Sequence, residues 1–426
     1  MKLTEERRTI LAWAMYDWAN SAFATTVIAG FFPIFFKQYW SAGADVTMST
    51  LRLGMANSIA SIVVAVLSPF LGAVADRGGL KIKFLAVFAA MGIVMTGALH
   101  FVARGEWELA VLVYVIASIG FSASTIFYDS LLVSVTGDKR SDFVSSLGYA
   151  LGYIGGGILF AFNVAMTLRP ELFGLADAAQ AVRVSFVTVA IWWAVFTIPI
   201  LIWVKEPPGE HVRGWNAITA GVRQLRSTMA ELRKLKIIML FLFGYWLYID
   251  GVQTLARMAV DYGLSLGFSS DKLIVALLIV QFVGFPASIG FGLFGEKVGT
   301  RRGLYVGIAV YIVVCIYAYR MTNVSQMFYL AAAIGLVQGG VQSLSRSLYS
   351  RMIPRSKAAG FFGFYNMVGK FGTVVGPVLM GWVAVATGSS RLSMLSLIVL
   401  LVAGAAFLPF VNEERARHAA RELENG

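Results

Sequence analysis

Two aspartates lie inside long apolar stretches of the sequence. Asp17 is part of WAMYDWANS and Asp250 is part of WLYIDGVQT. An ionisable group at membrane depth is costly, so it usually marks a pathway or binding site, or pairs with another buried group. In both stretches a Trp precedes the aspartate by four residues, an amide follows by three and a hydroxyl by four. Residues at this spacing share one helical face. The two faces consist of Trp13, Asp17, Asn20, Ser21 and of Trp246, Asp250, Gln253, Thr254.

Charged residues of both signs occur in other apolar segments, mostly within polar stripes at helical spacing. These further candidates are Asp129, Arg257, Gln342, Arg346 and Lys370. Such stripes should face a water-filled cavity or one another, because lipid cannot solvate them. Acids alone would suit a cationic ligand and arginines alone a phosphate, whereas this mixture suits a zwitterion or a small peptide. The alternative is that the charges pair with one another as a gate, and for Lys370 the sequence favours this structural role.

The composition identifies the elements that must position these residues. Of the 426 residues, 58% are hydrophobic and 14% are charged, with a mean hydropathy of +0.74. A soluble domain holds about 25% charged residues. We count twelve apolar segments that approach the length of about 20 residues needed for a membrane helix, without the alternation typical of a β-barrel. They cover residues 10–38, 53–76, 82–102, 108–136, 143–167, 182–204, 237–262, 272–296, 302–320, 325–353, 358–386 and 390–410.

The positions of the basic residues predict the orientation of these segments. If the N-terminus is inside, 24 of the 35 Lys and Arg residues fall in cytoplasmic segments, eight in outer loops and three within helices. This asymmetry follows the positive-inside rule. It accounts for the net charge of +12, so nucleic-acid binding is not needed to explain it. We expect a cytoplasmic (inner) membrane protein with both termini in the cytoplasm.

The segments divide six and six, which predicts an all-α membrane protein of two bundles. The expected parts are an N-terminal six-helix bundle (1–204), a cytoplasmic linker (205–236), a C-terminal six-helix bundle (237–410) and a cytoplasmic tail (411–426). A periodic apolar stripe within the linker predicts an amphipathic helix on the inner leaflet. Its residues are Trp215, Ile218, Val222, Leu225, Met229 and Leu232.

Two short loops repeat the same pattern of glycines and charges at an offset of 220 residues. The first loop contains Gly72, Asp76, Arg77, Gly79 and Lys81, and the second contains Gly292, Glu296, Lys297, Gly299 and Arg301. The same offset relates Gly152 and Gly156 to Gly372 and Gly376. Internal repeats of this kind are typical of secondary transporters.

With these loops and twelve segments, the sequence resembles the major facilitator superfamily over nearly its whole length. The resemblance implies a central cavity lined by segments 1, 4, 7 and 10. It also implies that Asp76 caps the inner end of segment 11 and helps to lock one conformational state, which suits a carboxylate at a helix N-terminus. The alternative is that the loop charges form only a tight turn with inside-positive charge.

Three stretches resemble a narrower branch of that superfamily, the autophagy-related vacuolar amino-acid effluxers. They read YDWANSAF from Tyr16, FYDSLL from Phe127 and QGGVQSLSRSLYSRMIP from Gln338. The resemblance implies amino-acid transport.

The repeat offset also predicts a contact between the two bundles. It places Arg346 opposite Ile126, one helical turn from Asp129. We expect Arg346 to contact a carboxylate, either that of a substrate or that of Asp17 or Asp129. Desolvation disfavours an ionised carboxyl and a neighbouring arginine favours it, so an acid alternating between these surroundings would load and release a proton. Nearby tyrosines are expected to be packing aromatics, namely Tyr128, Tyr149 and Tyr153.

We therefore expect a monomeric secondary transporter that moves a small zwitterion, such as an amino acid, by proton-coupled alternating access. Facilitated diffusion and export of drug-like or lipid-like compounds remain open, as does, from other classes, a non-transporting receptor or a lipid-remodelling enzyme. The sequence contains no nucleotide-binding loop and no nucleophile–base arrangement, so we expect neither catalysis nor a cofactor. The single cysteine, Cys315, excludes an intrachain disulfide and a cysteine metal cluster.

Overall fold

The computed structural model describes residues 4–43, 46–137, 140–206, 215–371 and 375–425. These residues form helices and connecting turns, and they include no β-strand. Twelve helices within the described ranges are long and apolar enough to cross a membrane. The expectation of an all-α membrane protein with twelve spans is therefore confirmed.

The first six membrane helices lie before the linker. They are α1 (Glu5–Trp40), α2 (Val46–Gly78), α3 (Lys81–Ala98), α4 (Trp107–Val135), α5 (Ser141–Leu168) and α6 (Ala178–Trp203). The α1 helix widens to π-helical turns at Phe23–Phe31 and Phe36–Trp40. At the start of α6, the Asp177 carboxylate accepts a hydrogen bond from the Gln180 N–H (2.7 Å) and caps the helix.

The remaining helices follow the linker. They are α7 (Trp215–Lys234), α8 (Lys236–Ser265), α9 (Ser270–Val298), α10 (Thr300–Arg320), α11 (Val324–Met352), α12 (Ala358–Phe371), α13 (Val375–Thr387), α14 (Ser390–Phe407) and α15 (Glu413–Asn425). Short 3₁₀ turns occur at Leu99–Phe101, Pro170–Phe173, Arg355–Lys357 and Leu408–Phe410. The predicted segment 358–386 corresponds to α12 and α13, and the residues between these two helices lie outside the described ranges.

Each half has its own buried apolar cluster. Trp13 and Trp193 are fully buried in the N-terminal cluster, and Tyr248 and Leu401 are fully buried in the C-terminal one. The two halves meet chiefly where α2 packs on α12 and α5 packs on α9. The approach of α2 is close, because a Cβ added at Gly363 would lie 2.5 Å from the Ser68 carbonyl oxygen.

Two helices outside the membrane spans lie at one end of the bundle. The linker helix α7 packs on α2, and the tail helix α15 packs on α11. We call this the inner end, because the sequence predicts that it faces the cytoplasm. The sequence predicted a tail at 411–426 without assigning its secondary structure, and the structure adds the helix α15.

The linker helix packs on protein with part of its predicted apolar stripe. Leu232 is buried, Leu225 is half-buried and Met229 is exposed. The side chains of Trp215, Ile218 and Val222 lie outside the described part of the structure. The leaflet contact of α7 therefore remains a prediction.

Candidate functional site

Arg346 lies at the interface between the two halves. Its side chain on α11 is only 2% exposed. Nη1 donates a hydrogen bond to Asp129 Oδ1 of α4 (3.0 Å) and lies 3.6 Å from Asp17 Oδ2 of α1. The structure thus brings together three of the residues that the sequence singled out, and the expected contact between Arg346 and a carboxylate is present.

The other donors of Arg346 are also satisfied by the N-terminal half. Nε donates to Ser145 Oγ (2.9 Å), and Nη2 donates to the Ser145 carbonyl oxygen (2.7 Å). The guanidinium therefore holds α1, α4 and α5 to α11 through one planar group. An arginine suits this role, because its donors are fixed in a rigid fork that lysine lacks.

Neutral side chains complete the coordination of the two acids. The Tyr128 hydroxyl donates to Asp17 Oδ2 (2.7 Å), and Asn366 Nδ2 of α12 donates to Asp129 Oδ2 (3.2 Å). These bonds stabilise the ionised carboxylates. Asp129 thus receives one donor from α11 and another from α12, both in the opposite half.

Aromatic rings enclose the guanidinium of Arg346. Its Cζ lies 4.4 Å from the ring centroid of Tyr149, 5.0 Å from that of Trp13 and 5.3 Å from that of Tyr128. These distances are within the range of cation–π attraction. Tyr128 and Tyr149 were expected to be packing aromatics only, and this was incomplete because both contact the charged cluster.

Close packing of α1 on α5 fixes the position of Asp17. A Cβ added at Gly148 would lie 2.8 Å from Asp17 Oδ2 and 2.6 Å from the Tyr128 hydroxyl. A Cβ at Gly152 would lie 2.6 Å from Ser21 Oγ. Glycine at these positions permits the close helix contact that small residues allow in membranes.

The charges of this cluster do not balance. Two carboxylates, Asp17 and Asp129, contact one guanidinium, that of Arg346. If both acids are ionised, one negative charge is left in a poorly solvated environment, which is unfavourable. A proton on either acid, or a cationic group of a ligand beside them, would remove the excess charge. The cluster can therefore bind a cation or a proton without losing its arginine.

Asp250 of α8 has a different environment, although it repeats the sequence pattern of Asp17. Its Oδ2 accepts a hydrogen bond from the Gly376 N–H (3.0 Å), and its Oδ1 accepts one from the Thr254 hydroxyl (3.1 Å). Both partners belong to the C-terminal half. Asp250 is 1% exposed, and these two hydrogen bonds tie it to its own bundle.

The remaining candidates do not join the Arg346 cluster. Asn20 is buried beside Tyr16. The side chain of Arg257 on α8 is exposed and lies near Tyr114 of α4, across the interface between the halves. Three other candidates are half-buried, namely Gln253, Gln342 and Lys370.

The first repeated loop closes the inner end of the bundle. Asp76 accepts hydrogen bonds from the N–H groups of Ala359 (2.9 Å) and Gly360 (2.6 Å), at the first turn of α12. Lys81 Nζ lies 2.9 Å from Asp76 Oδ1. The Asp76 side chain is 2% exposed, so its carboxylate compensates otherwise unpaired helix donors in a shielded position. A Cβ at Gly72 would overlap the Ala359 carbonyl group.

The second loop is more exposed. Glu296 at the end of α9 interacts with the N–H of Phe143 in the first turn of α5, but its side chain faces solvent. Lys297 is exposed as well. Both loops place a glycine at positive φ, +57° at Gly79 and +106° at Gly299, where other residues are strained. The side chain of Arg77 lies outside the described part of the structure.

A second buried ion pair joins the halves at the inner end. Arg351 Nη1 of α11 lies 2.7 Å from Asp142 Oδ1 of α5. The Thr300 hydroxyl donates to Asp142 Oδ2 (2.6 Å), and the Ser347 hydroxyl donates to Oδ1 (2.5 Å). Arg351 Nε also donates to Glu413 Oε1 of α15 (2.8 Å). Both side chains of the ion pair are less than 10% exposed.

The sequence did not identify this ion pair. Arg351 was counted among the inside-positive charges, and Asp142 opens a helix, where an acid is ordinary. The 220-residue offset pairs neither residue with a charge. The expectation that buried charges lie on segments 1, 4, 7 and 10 together with Lys370 is therefore incomplete, because Asp142 is on α5.

Comparisons with known proteins identify the family of the chain. Residues 42–421 match a family model described as "Vacuole effluxer Atg22 like". The transporter YxiO of Bacillus subtilis strain 168, of the major facilitator superfamily type, is 38% identical over 419 residues, which is 96% of this chain and 96% of that protein. Autophagy-related protein 22 of Yarrowia lipolytica is 28% identical over 314 residues, covering 66% of this chain and 52% of that protein.

A solved structure shows the same architecture. The human organic anion transporter MFSD10 (TETRAN) superposes with a TM-score of 0.73, at 12% sequence identity, over 95% of this chain and 100% of that one. At this identity the likeness concerns the fold alone. The twelve helices of the described residues are thus arranged as in a major facilitator transporter.

Proposed function

Since the chain belongs to the Atg22-like vacuole effluxer family of the major facilitator superfamily, we propose that it moves a small zwitterionic solute across the cytoplasmic membrane. Its general class is that of a secondary transporter. The proposal adds that the solute carries an ammonium and a carboxylate group, as an amino acid does. It also adds that protons drive its movement by alternating access.

The cluster of Asp17, Asp129 and Arg346 carries this proposal. It joins α1 and α4 of one half to α11 of the other, at the interface that must rearrange when one side closes and the other opens. Its two acids share one guanidinium, so it accepts one positive charge. A proton and the ammonium group of a solute are the two simplest cations that fit.

The carboxylate of the solute would need a cation, and two candidates lie in the C-terminal half, on α8 and α12. Arg257 of α8 is exposed towards Tyr114 of the N-terminal half. Lys370 of α12 lies near enough for its charge to interact with that of Arg257. A carboxylate between these two side chains would reduce their mutual repulsion. The acids near Arg346 and the cations near Arg257 together suit a ligand with both charges.

In this proposal, proton coupling acts through the bond between Asp129 and Arg346. A proton on Asp129 weakens its bond to the guanidinium, because a neutral carboxyl attracts a cation less strongly. Arg346 then remains tied to the N-terminal half by Asp17 and Ser145, and the halves can separate more readily. Loss of the proton restores the ion pair. Binding and release of one proton would thereby bias the two conformations, as alternating access requires.

We propose that both termini and the linker face the cytoplasm. The 24 basic residues of the predicted inside segments support this orientation. A reporter that matures only in the cytoplasm should be active when fused after Gly426. A reporter at the same position that matures only on the outer side would be inactive, and its activity would contradict the proposed orientation.

The transport proposal is tested with purified protein in liposomes. A thermal-shift screen with amino acids, small peptides and drug-like compounds first identifies the solute, because a ligand that binds the native state stabilises it. Flux of the labelled solute is then measured while the pH gradient and the sodium gradient are varied separately. We expect flux to follow the pH gradient and to ignore sodium.

The same assay separates the alternatives. Flux driven only by the solute gradient would indicate facilitated diffusion. Flux driven by the sodium gradient would indicate that sodium, not the proton, is the coupling ion. Stabilisation by drug-like compounds with no response to amino acids would support the exporter of such compounds. Each of these three results would contradict the proposed coupling or solute class, while membership of the transporter family would stand.

A further inference from the structure

The linker helix α7 is anchored in the C-terminal half. A single residue, Leu235, separates it from α8. Leu232 and Leu235 are buried in the C-terminal apolar cluster. Lys357 Nζ, in the turn before α12, lies 2.5 Å from Glu231 Oε1 of α7. Apolar contacts and an ion pair thus connect the end of α7 to α8 and to the start of α12.

The same helix also packs on α2 of the N-terminal half. It lies beside the point where the Asp76 carboxylate of α2 accepts the N–H groups of the first turn of α12. Thr228 of α7 is fully buried there. A Cβ added at Gly360 would lie 3.5 Å from the Thr228 hydroxyl and 3.4 Å from Asp76 Oδ2. The linker helix therefore covers the contact between α2 and α12 and packs on both helices.

This arrangement connects α7 to the opening of the inner end. Opening requires α2 and α12 to separate, because the Gly72 and Asp76 contacts with α12 exist only while they are together. A helix anchored to one half cannot keep its contact with the other half when the two rotate apart. The apolar surface that α7 buries against α2 would then return to water, which is unfavourable. The linker helix therefore stabilises only the closed arrangement of the inner end.

We propose that α7 acts as a clamp on the inner end, and that Glu231 and Lys357 are the positioning residues that hold it there. The inference rests on the alternating access of the proposed function, but not on the solute or the coupling ion. An amphipathic helix that served only as a contact with the leaflet would not change the conformational balance when this ion pair is removed.

The test measures both ends of the full-length protein. One pair of spin labels joins the halves at the inner end, at Lys83→Cys and Arg302→Cys. A second pair joins them at the opposite end, at Arg104→Cys and Lys272→Cys, and all four positions are exposed. Distances are recorded in nanodiscs at fixed pH, without solute, in a Cys315→Ala background. A weaker clamp should lengthen the inner distance and shorten the outer one, whereas local release of α7 changes neither.

Two variants break the ion pair, and a third is the charge-matched control. Lys357→Gln and Glu231→Gln should each raise the ratio of inner-open to inner-closed molecules about two- to fivefold, the range for a partly exposed ion pair. The double variant should shift no further than either single one, because the pair is already lost. Lys234→Gln removes a cation from an exposed position of the same helix and should leave both distances unchanged.

The series is repeated with Asp76→Asn, which weakens the inner closure independently, so that a small shift can be measured even if closed molecules dominate. Unchanged distances in both single variants and both backgrounds would overturn the proposal and would fit a helix that contacts only the leaflet. An equal shift in Lys234→Gln would also overturn it. The assay contains neither solute nor a pH gradient, so its outcome does not bear on the proposed solute or coupling ion.

Discussion

Each half of the chain packs an aspartate against a glycine of a neighbouring helix, but the two aspartates have different partners. Asp17 of α1 lies against Gly148 of α5, and Asp250 of α8 lies against Gly376 of α13. Asp17 faces Arg346 of the other half, 3.6 Å away. Asp250 instead accepts the Gly376 N–H of its own half. The repeated pattern therefore reproduces helix packing but leaves the partner of each acid undetermined.

The difference arises from one residue that has no counterpart. The repeat offset pairs Arg346 with Ile126, so the cation that the C-terminal half provides to Asp17 and Asp129 has no equivalent at the matching position of the N-terminal half. When the halves move, the distance from an acid to a partner across the interface changes. The distance from an acid to a partner in its own bundle does not. We infer that Asp17 and Asp129 serve coupling, and that Asp250 chiefly stabilises the contact between α8 and α13.

The largest effect is expected from removal of Arg346, the cation that has no counterpart in the N-terminal half. Removing one partner of a buried ion pair costs about 3–5 kcal/mol in stability. Arg346→Ala should also abolish most solute flux, because Asp17 and Asp129 lose the cation that joins them to α11. Arg346→Lys should also lose most activity, since lysine cannot bond Asp129 and Ser145 together. Flux is measured in liposomes at equal amounts of folded protein.

The exposed Arg302 provides the control for this prediction. Its Nη1 donates a hydrogen bond to the Val298 carbonyl oxygen at the end of α9 (3.3 Å), outside the Arg346 cluster, so Arg302→Ala should leave the flux unchanged. Full activity of Arg346→Ala would show that the guanidinium only fills space.

The second prediction compares the two acids directly. Asp129→Asn removes the titratable group beside Arg346, so proton-driven flux should disappear while exchange of solute at equal pH continues. Asp250→Asn keeps an acceptor for the Gly376 N–H, and should retain the response to the pH gradient with a loss of about 1 kcal/mol in stability. Flux with and without a pH gradient distinguishes them. Equal loss of pH response in both variants would contradict the division of roles.

The third prediction uses the glycines that the acids pack against. A methyl group at Gly148 would meet Asp17 and Tyr128, and one at Gly376 would meet Asp250 at 2.8 Å. Overpacking of this kind costs about 1–3 kcal/mol. Gly148→Ala should reduce flux by displacing an acid of the cluster, whereas Gly376→Ala should mainly lower the melting temperature. The comparison fails if Gly376→Ala changes the pH response and Gly148→Ala does not.

These contrasts also show how far the sequence leads. Spacing in apolar segments identified Asp17, Asp129 and Arg346, because a charge inside such a segment stands out from its neighbours. The offset even indicated the pairing of Asp129 with Arg346. Segment length located the twelve membrane helices, since lipid allows few alternatives to a helix of about 20 residues.

The rest depends on contacts between distant segments. Asp142 and Arg351 lie near helix ends, where charges are common, so neither is conspicuous until α5 and α11 are brought together. Tyr128 looked like a packing residue because its hydroxyl finds Asp17 only in the folded chain. The exposure of Arg257 also depends on how α8 packs in the folded chain, which the hydropathy of its segment does not give.

The smallest expected effect concerns the repeated loops, which extend the comparison to the inner end. Asp76 is shielded and accepts two N–H groups, whereas Glu296 is exposed. Asp76→Asn should favour opening of the inner end by up to about 2 kcal/mol, the upper range for a partly buried helix-end charge. Glu296→Gln should have an effect nearer 0.3 kcal/mol. Labelling of a cysteine introduced at Ser343 of α11, whose hydroxyl lies 2.8 Å from that of Ser146 of α5, reports this opening. Equal labelling of the Asp76→Asn and Glu296→Gln variants would contradict the expected difference between the two loops.

The glycine contacts between α1 and α5 have a mechanical consequence. Methyl groups added at Gly152, Gly155 and Gly156 of α5 would clash with α1 at three successive places. This close packing opposes sliding of α1 along α5. This close contact favours a separation of Asp17 from Arg346 in which α1 and α5 rotate together with the N-terminal half. Such a rotation displaces lipid along several helices at once. Turnover should therefore slow in viscous bilayers with ordered acyl chains, even where every side chain of the site is unchanged.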